Sequence, residues 1–527
     1  MKTGSTAHTG LRSAWVALAL ILAWLCATAW MRPLLLPDEG RYASVAWEMV
    51  RTGDWLTPML DGLPFFHKPP LFYWISASAL SVLGPIEIAG RAGSLFGASL
   101  GAFALFLFTR RWSGPAAAQR TLWVLLVQPL FFVGGQYANL DMLVAGCITA
   151  TVLALAHTAL SFELGLPYRR TLWLAYGLAA LGVLAKGLIG FVLPGMVICV
   201  WLVLRWRWHT LWALVSVPGL VLFLLVAAPW FLAMQQRFDG FLHYFFVVQH
   251  FQRFSVGGFN NVMPVWFYPV VLALFSLPCL VWAYRVLGRG YFAPGPADAP
   301  QRGAVRLLMA VAVLCVVAFF SIPKSKLVGY VLPAVVPLAW IMADASLLLT
   351  SLRARRAWWA CAGLSALAGL AVVLGLALDQ RHSTRDLGRA LGAVHQPGQP
   401  VFMLEEYLYD VPFYARLQEP VIVVDEWDSP DVAKRDNWRK EIADAGVFSP
   451  EVARQLLLTR ERLTPALCQA PVSWVLGSQG LRDTYPFLEQ AQKVYTHRGD
   501  ETLWRVEPQR MPLLNCAEMP SGGSAHR

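Results

Sequence analysis

Charge is scarce in this sequence. Asp, Glu, Lys and Arg together make up 14% of its 527 residues, against about a quarter in ordinary soluble domains, so most of the chain has too little charge to present a solvated surface. Acid is scarcest before residue 380, where 12 Asp and Glu stand against 26 Lys and Arg; from Gln380 onward the balance is 20 acids against 17 bases. The net charge of +11 therefore belongs to the acid-poor part, which argues against nucleic acid as a partner. Cysteine is sparse and unpatterned, with eight residues and no CxxC or other metal-ligand spacing. Six of the eight (Cys26, Cys147, Cys199, Cys279, Cys315 and Cys361) lie in apolar runs, where a thiol fills core space. An internal repeat of the kind many transporters carry is also missing.

What fills the chain is apolar surface: 57% of residues are hydrophobic and 23 are Trp, the composition of an integral membrane protein. Apolar segments fall at 13–31, 89–108, 121–137, 141–161, 171–185, 187–204, 210–231, 263–285, 305–322, 327–349 and 357–378, most near the ~20 residues that a spanning helix needs. That gives about eleven or more transmembrane helices. The fifth and sixth are short and meet at Lys186-Gly187, as a hairpin or as one re-entrant pair. Ala27-Thr28-Ala29 resembles a signal-cleavage site, but the first run is long enough to span and is read as a helix. With the N-terminus inside, 16 of the 26 cations before residue 380 fall in inner loops, which places the C-terminal region outside. The ten outer exceptions are Arg32, Arg41, Arg51, Lys68, Arg91, Lys186, Arg237, Arg253, Lys324 and Lys326. Cations held against the membrane on that side are candidates for binding an anion, such as a lipid phosphate.

The densest mix of carboxylates, cations and aromatics runs from Pro37 to Trp74. Tyr42, Val45, Ala46, Met49 and Val50 share one helical stripe, Asp38 is placed as a cap, Glu39 lies in the first turn and Gly53 can end the helix. The stripe predicts a helix lying on the membrane surface. Lys68-Pro69-Pro70 then predicts an extended segment whose Phe72, Tyr73 and Trp74 suit the headgroup layer. A second outer loop, 232–262, holds His243, His250 and Arg253; a third holds Lys326 and Tyr330, four residues apart. Beyond Leu378 the composition becomes that of a soluble domain. Strand-like runs at 401–404, 421–424, 472–476 and 503–506, with a helical stretch at 450–458, predict a small α/β domain whose Cys468 and Cys516 pair in an oxidising compartment.

Laid out in order, Asp38-Glu39-x-Arg41-Tyr42-Ala43, Gly53-Asp54-Trp55, Lys68-Pro69-Pro70 with Tyr73-Trp74, Asp141, Lys186-Gly187, Pro229-Trp230, His250 with Arg253-Phe254, and Lys326 with Tyr330 and Pro333 resemble the bacterial aminoarabinose transferases. The wider relatives are protein O-mannosyltransferases and other glycosyltransferases of the C-type fold. Composition and loop charge divide the chain into a polytopic membrane domain over 1–379 with outer-face loops 32–88 and 232–262, which the resemblance covers, and a periplasmic domain over 380–527. The resemblance implies an inner-membrane enzyme that takes a sugar from a polyprenyl phosphate carrier and passes it, with inversion, to a periplasmic acceptor. In the aminoarabinose transferases that acceptor is a phosphate of lipid A, and its masking gives polymyxin resistance. Those transferases usually have Glu before the Lys-Pro pair, where this chain has His67, a position that bears on sugar and acceptor.

Cleaving a sugar–phosphate bond builds negative charge on the leaving phosphate, which cations can stabilise. Lys68 and Arg253 lead the candidates for holding the donor phosphate, followed by Lys326, Tyr330 and Lys186; Arg41, Tyr42, His67 and His250 are candidates for substrate contacts. Asp38, supported by Glu39 and Asp141, is the candidate to orient an acceptor phosphate or to serve as base for an acceptor hydroxyl. Each has an ordinary alternative: helix capping for Asp38 and Asp141, hairpin punctuation for Lys186, and snorkelling to the headgroups for Arg32 and Arg237. The histidines lack a diagnostic metal spacing, so no metal or other cofactor is assigned, and the lipid-linked sugar is itself a substrate. A transfer to protein or polysaccharide, or a lipid-linked sugar transporter, are the competing functions.

Overall fold

The computed structural model describes residues 3–252, 261–287, 291–292, 301–349, 351–379, 381–434, 437–498 and 500–516. The chain forms two compact units. The larger comprises Met1–Arg32, His67–Ala79 and Ile86–Leu378; the other comprises Pro33–Phe66, Leu80–Pro85 and Asp379–Arg527.

The larger unit is helical, and each of the eleven apolar segments holds a helix. Among the described residues six helices are long and apolar enough to cross a membrane, and Pro115–Val127 with Pro129–Gly135 forms a pair bent by 70°, a broken span or a re-entrant loop. The bend follows from Pro129, which excludes Gln128 from helical geometry; Gln128 sits at ψ 124. Shorter apolar helices include Ser13–Cys26, Ile189–Leu204 and Leu71–Leu83, the last in a stretch expected to be extended. Pro70 does not disrupt that helix because it precedes the first turn, where a missing N–H costs nothing. Its Phe72 and Tyr73 are fully buried, not held at the headgroups.

Helices Ala92–Trp112 and Leu140–Glu163 form the centre. A β-carbon on Gly146 would lie 2.0 Å from the Gly97 carbonyl oxygen, so the backbones touch along a seam that only glycine permits. The most apolar window of Leu140–Glu163 is 89% buried, whereas those of Val217–Arg237 and Leu352–Leu378 are 28% and 22% buried. The two outer helices are nonetheless apolar all round, as lipid-facing helices must be. Between the fifth and sixth segments the chain reverses at Gly187, and Gly182 and Gly190 meet backbone to backbone, which resolves that junction as a hairpin.

The second unit is built on a six-stranded sheet. With β1 (Met59–Leu60) and β2 (Leu63–Pro64) forming a separate hairpin, its strands are β3 (Val401–Leu404), β4 (Ile422–Val424), β5 (Leu457–Leu458), β6 (Ser473–Ser478), β7 (Gln492–Thr496) and β8 (Glu501–Val506), in the order β5-β4-β3-β6-β8-β7. β5, β4, β3 and β6 run parallel, and β8 is antiparallel to β6 and β7. All four residues of β3 are buried, the mark of a strand covered on both faces. Phe402, Val475 and Trp504 lie in the core, and Cys468 and Cys516 are bonded, as expected, with Cα atoms 5.6 Å apart.

Pro33–Phe66 folds with this sheet domain. The stripe on helix Asp38–Thr52 is buried against protein: Tyr42, Val45, Ala46 and Met49 are each 6% exposed or less. A β-carbon at Gly40 would stand 3.0 Å from the Asp410 amide, and Ser44 Oγ donates to the Tyr409 carbonyl at 2.6 Å. An apolar stripe needs an apolar partner, and periodicity alone does not say whether that partner is lipid or protein.

Candidate functional site

Of the residues singled out in the sequence, Asp141, Lys186 and Tyr330 meet in the larger unit, and Asp38, Arg41 and Tyr42 meet in the second. In the larger unit the starting point is Ser94, whose hydroxyl donates to the Tyr137 and Asn139 carbonyls at 2.6 and 2.9 Å and accepts from the Asn139 amide at 3.2 Å. Behind it, Arg32 donates to the Gln136 carbonyl at 2.6 Å, and Arg91 donates to the carbonyls of Ala29 and Arg32. Both arginines are essentially fully buried. Arg32 is therefore not a headgroup cation but a brace for the 136–139 segment; Arg237 is exposed, as a snorkelling side chain would be.

That segment delivers Asn139 in extended conformation as the cap of helix Leu140–Glu163, its side chain accepting from the Asp141 amide at 2.9 Å. Asn139 does the capping, which leaves the Asp141 side chain to pair with the Lys186 ammonium. Lys186 ends the helix Arg169–Lys186 and also lies over the Tyr330 ring, 4.2 Å from its centroid. A β-carbon on Gly329 would fall 2.2 Å from Asp141 Oδ2, so the segment Val328–Val331 presses its glycine against the carboxylate and its tyrosine against the ammonium. Asp141, Lys186 and Tyr330, far apart in sequence, form one contact group.

Lys326 is buried, and its ammonium donates to the Met263 carbonyl at 2.9 Å and to the Pro323 carbonyl. With the Val262–Ser325 bridge and the Met263 amide on the Lys324 carbonyl at 3.1 Å, it fastens the segment that carries Tyr330. His67 is buried, with its ring 6.2 Å from that of Tyr244, and Lys68 is partly buried just before helix Leu71–Leu83. His250 lies on helix His243–Gln252 with its side chain outside the described set, and Arg253 lies outside the described residues. Among the described residues no group of three or more His, Cys, Asp or Glu is placed to share a metal ion.

In the second unit Asp38 lies in the first turn of helix Asp38–Thr52, where Pro37 holds the cap position. Its carboxylate pairs with Arg41 at 3.3 Å, and Arg41 pairs with Glu441 at 2.9 Å. Tyr409 donates to Glu441 at 2.7 Å and lies under the Arg41 guanidinium at 5.1 Å; Tyr42 lies 5.8 Å from the same group. Burial opposes the Arg41 charge, yet Glu441 and the neighbouring groups outweigh it and hold the guanidinium protonated. Burial and the Glu441 carboxylate push the Tyr409 hydroxyl well above its usual range. The Asp38 side chain is 32% exposed against 14% for both Arg41 and Glu441, so a largely buried cation holds the more exposed carboxylate. Glu39 is fully buried and accepts from the Leu35 amide at 3.0 Å. Glu441 and Tyr409 were not legible as site residues, because no motif marks them and only the fold brings them to Arg41.

Comparison with known proteins fits these features. A family model described as dolichyl-phosphate-mannose-protein mannosyltransferase matches residues 67–232. The undecaprenyl phosphate-alpha-4-amino-4-deoxy-L-arabinose arabinosyl transferase 1 of Sodalis glossinidius is 36% identical over 321 residues, 59% of this chain and 55% of that protein. The corresponding transferase of Aeromonas salmonicida is 33% identical over 361 residues, 67% of this chain and 64% of that protein. The matches thus span less than two thirds of those relatives. The crystal structure of ArnT from Cupriavidus metallidurans bound to undecaprenyl phosphate superposes with a TM-score of 0.75 at 22% identity, covering 96% of this chain and 98% of that one. The chain is accordingly a multi-pass membrane protein of the C-type glycosyltransferase fold, similar in sequence to the bacterial aminoarabinose transferases, as its motifs led one to expect.

Proposed function

We propose that the protein is an inverting glycosyltransferase of the inner membrane that moves aminoarabinose or a related sugar from undecaprenyl phosphate to lipid A at the periplasmic face. The reading is carried by the Asp141–Lys186–Tyr330 group, which joins a carboxylate, an ammonium and an aromatic ring from three segments, each at a motif position. The relatives' names supply the donor class: they are undecaprenyl phosphate-aminoarabinose transferases, and the Cupriavidus protein was crystallised with undecaprenyl phosphate.

In this reading an acceptor oxygen attacks the anomeric carbon from the face opposite the carrier. The carbon–oxygen bond to the carrier phosphate breaks, and undecaprenyl phosphate leaves with the electron pair. Lys68, Arg253 and Lys186 meet the charge that grows on that phosphate. Asp141 holds Lys186 in place, Tyr330 bounds it, and Lys326 keeps the Tyr330 segment rigid. Asp38, held by Arg41, orients the acceptor; an acceptor phosphate is already ionised and needs no base. Glu39 fixes the helix start behind it, and Tyr42, His67 and His250 complete the substrate contacts.

A protein acceptor is the second reading, favoured by the description of the matching family model. Mass spectrometry of lipid A from cells expressing wild type, Asp38→Asn and Lys68→Ala, at equal membrane abundance, separates the two. A sugar-sized adduct with wild type alone supports lipid A transfer; its absence with donor present overturns that reading, and a glycoprotein difference then supports the second.

A further inference from the structure

The end of the larger unit remote from Asp141 carries a groove that the proposed transfer does not use. Ser94, near the start of helix Ala92–Trp112, bonds the segment leading to Asp141. Arg110 is 18 residues beyond Ala92 on the same helix, or ~27 Å along it, close to the ~30 Å hydrocarbon thickness of a bilayer. At that end helices Thr3–Cys26, Ala92–Trp112 and Pro115–Val127 enclose a groove of about 520 Å³, within the ~300–1,000 Å³ range of ligand pockets. Its mouth is polar, formed by Ser13, Arg110 and Gln119, and its depth is apolar, with Leu20, Trp123 and Leu126. From Ser13 to Leu20 the wall runs ~10 Å into the membrane and from Pro115 to Leu126 ~16 Å, the depth of one leaflet.

Charge identifies the occupant. No Asp or Glu occurs in residues 1–37 or 88–140, so all three helices are free of acid, while the groove is lined by Arg110. Arg110 bonds the Ser13 hydroxyl. A basic mouth over an apolar slot matches a phosphate carried on acyl chains. We propose that this groove holds an anionic phospholipid of the leaflet opposite the candidate site, with its phosphate at Arg110 and an acyl chain along Leu20 and Leu126. This is independent of the sugar donor and of the acceptor.

The test is native mass spectrometry of the full chain exchanged into phosphatidylglycerol or into phosphatidylcholine of the same chain length. Wild type is expected to retain phosphatidylglycerol preferentially, and Arg110→Ala to lower that retention about fivefold. Arg356→Ala removes an exposed arginine elsewhere on the unit and is expected to change nothing. Val16→Trp keeps the charge but narrows the groove from an exposed position, and is expected to lower retention as well. Absence of headgroup preference, equal losses from Arg110→Ala and Arg356→Ala, or full retention in Val16→Trp would overturn the proposal. So would displacement of phosphatidylglycerol by equimolar undecaprenyl phosphate, which would make the groove a donor site.

Discussion

Gly329→Ala tests the contact group at Asp141 with one added methyl. The new β-carbon would stand 2.2 Å from Asp141 Oδ2 and 2.9 Å from its Cγ. Relief to an ordinary contact of about 3.5 Å requires the carboxylate to move by about 1 Å, which draws it off Lys186. The obstructed atoms belong to one short side chain and not to backbone, so the fold absorbs the change. A displacement of ~1 Å in a reacting constellation costs about 100-fold in rate, whereas the lost contact destabilises by only about 1–2 kcal/mol. The assay is sugar transfer per unit of folded protein in membranes, with thermal unfolding of the purified chain alongside. Gly195→Ala, which meets nothing within 4 Å, is the control and should retain both. Transfer within threefold of wild type in well-folded Gly329→Ala would refute the assignment of Asp141 and Lys186 to the working site.

Arg41 and Glu441 should be energetically coupled: in a double-mutant cycle with Arg41→Ala and Glu441→Ala, thermal stabilities should depart from additivity by at least about 1 kcal/mol, and additivity would mean that the pair does not hold helix Asp38–Thr52. Burial raises the Asp410 carboxyl to about 6, against the opposing hydrogen bonds from Thr384 and Ser383. Because the folded value lies above the unfolded one, the unfolded chain ionises first, so this group's contribution is fully present below about pH 4 and is lost by up to about 3 kcal/mol as pH rises through about 6. Asp410→Asn should flatten that part of the stability–pH profile, and an unchanged slope would contradict the assignment. The Cys468–Cys516 bond closes a 48-residue separation, worth about 4 kcal/mol in the unfolded chain. Reduction or Cys468→Ser should lower the unfolding temperature of the second unit, and a change equivalent to less than about 1 kcal/mol would show that its unfolded state is already compact.

Elements whose cause is local were legible without the fold. Apolar runs near twenty residues become helices because a bilayer leaves no other way to satisfy the backbone, and all eleven do. The run Val401–Leu404, apolar at every position, becomes a strand covered on both faces, and the two cysteines outside the apolar segments become a disulfide. The strands that went unread were short or polar: β5 has two residues, and β7 is a largely exposed edge.

What each charge faces was set by contacts between distant segments. Asp141 looked like a cap until Asn139 took that role. Lys326 was legible as a candidate for the donor phosphate, but not the two carbonyls that its ammonium meets. The stripe of helix Asp38–Thr52 was legible, but its partner lies in a domain reached only late in the chain; Ser44 and Tyr409 are 365 residues apart. Periodicity reports that a face must be buried, because water rejects it whatever covers it. Which atoms cover it, and which ion a buried charge meets, depend on distances between segments that no local pattern encodes.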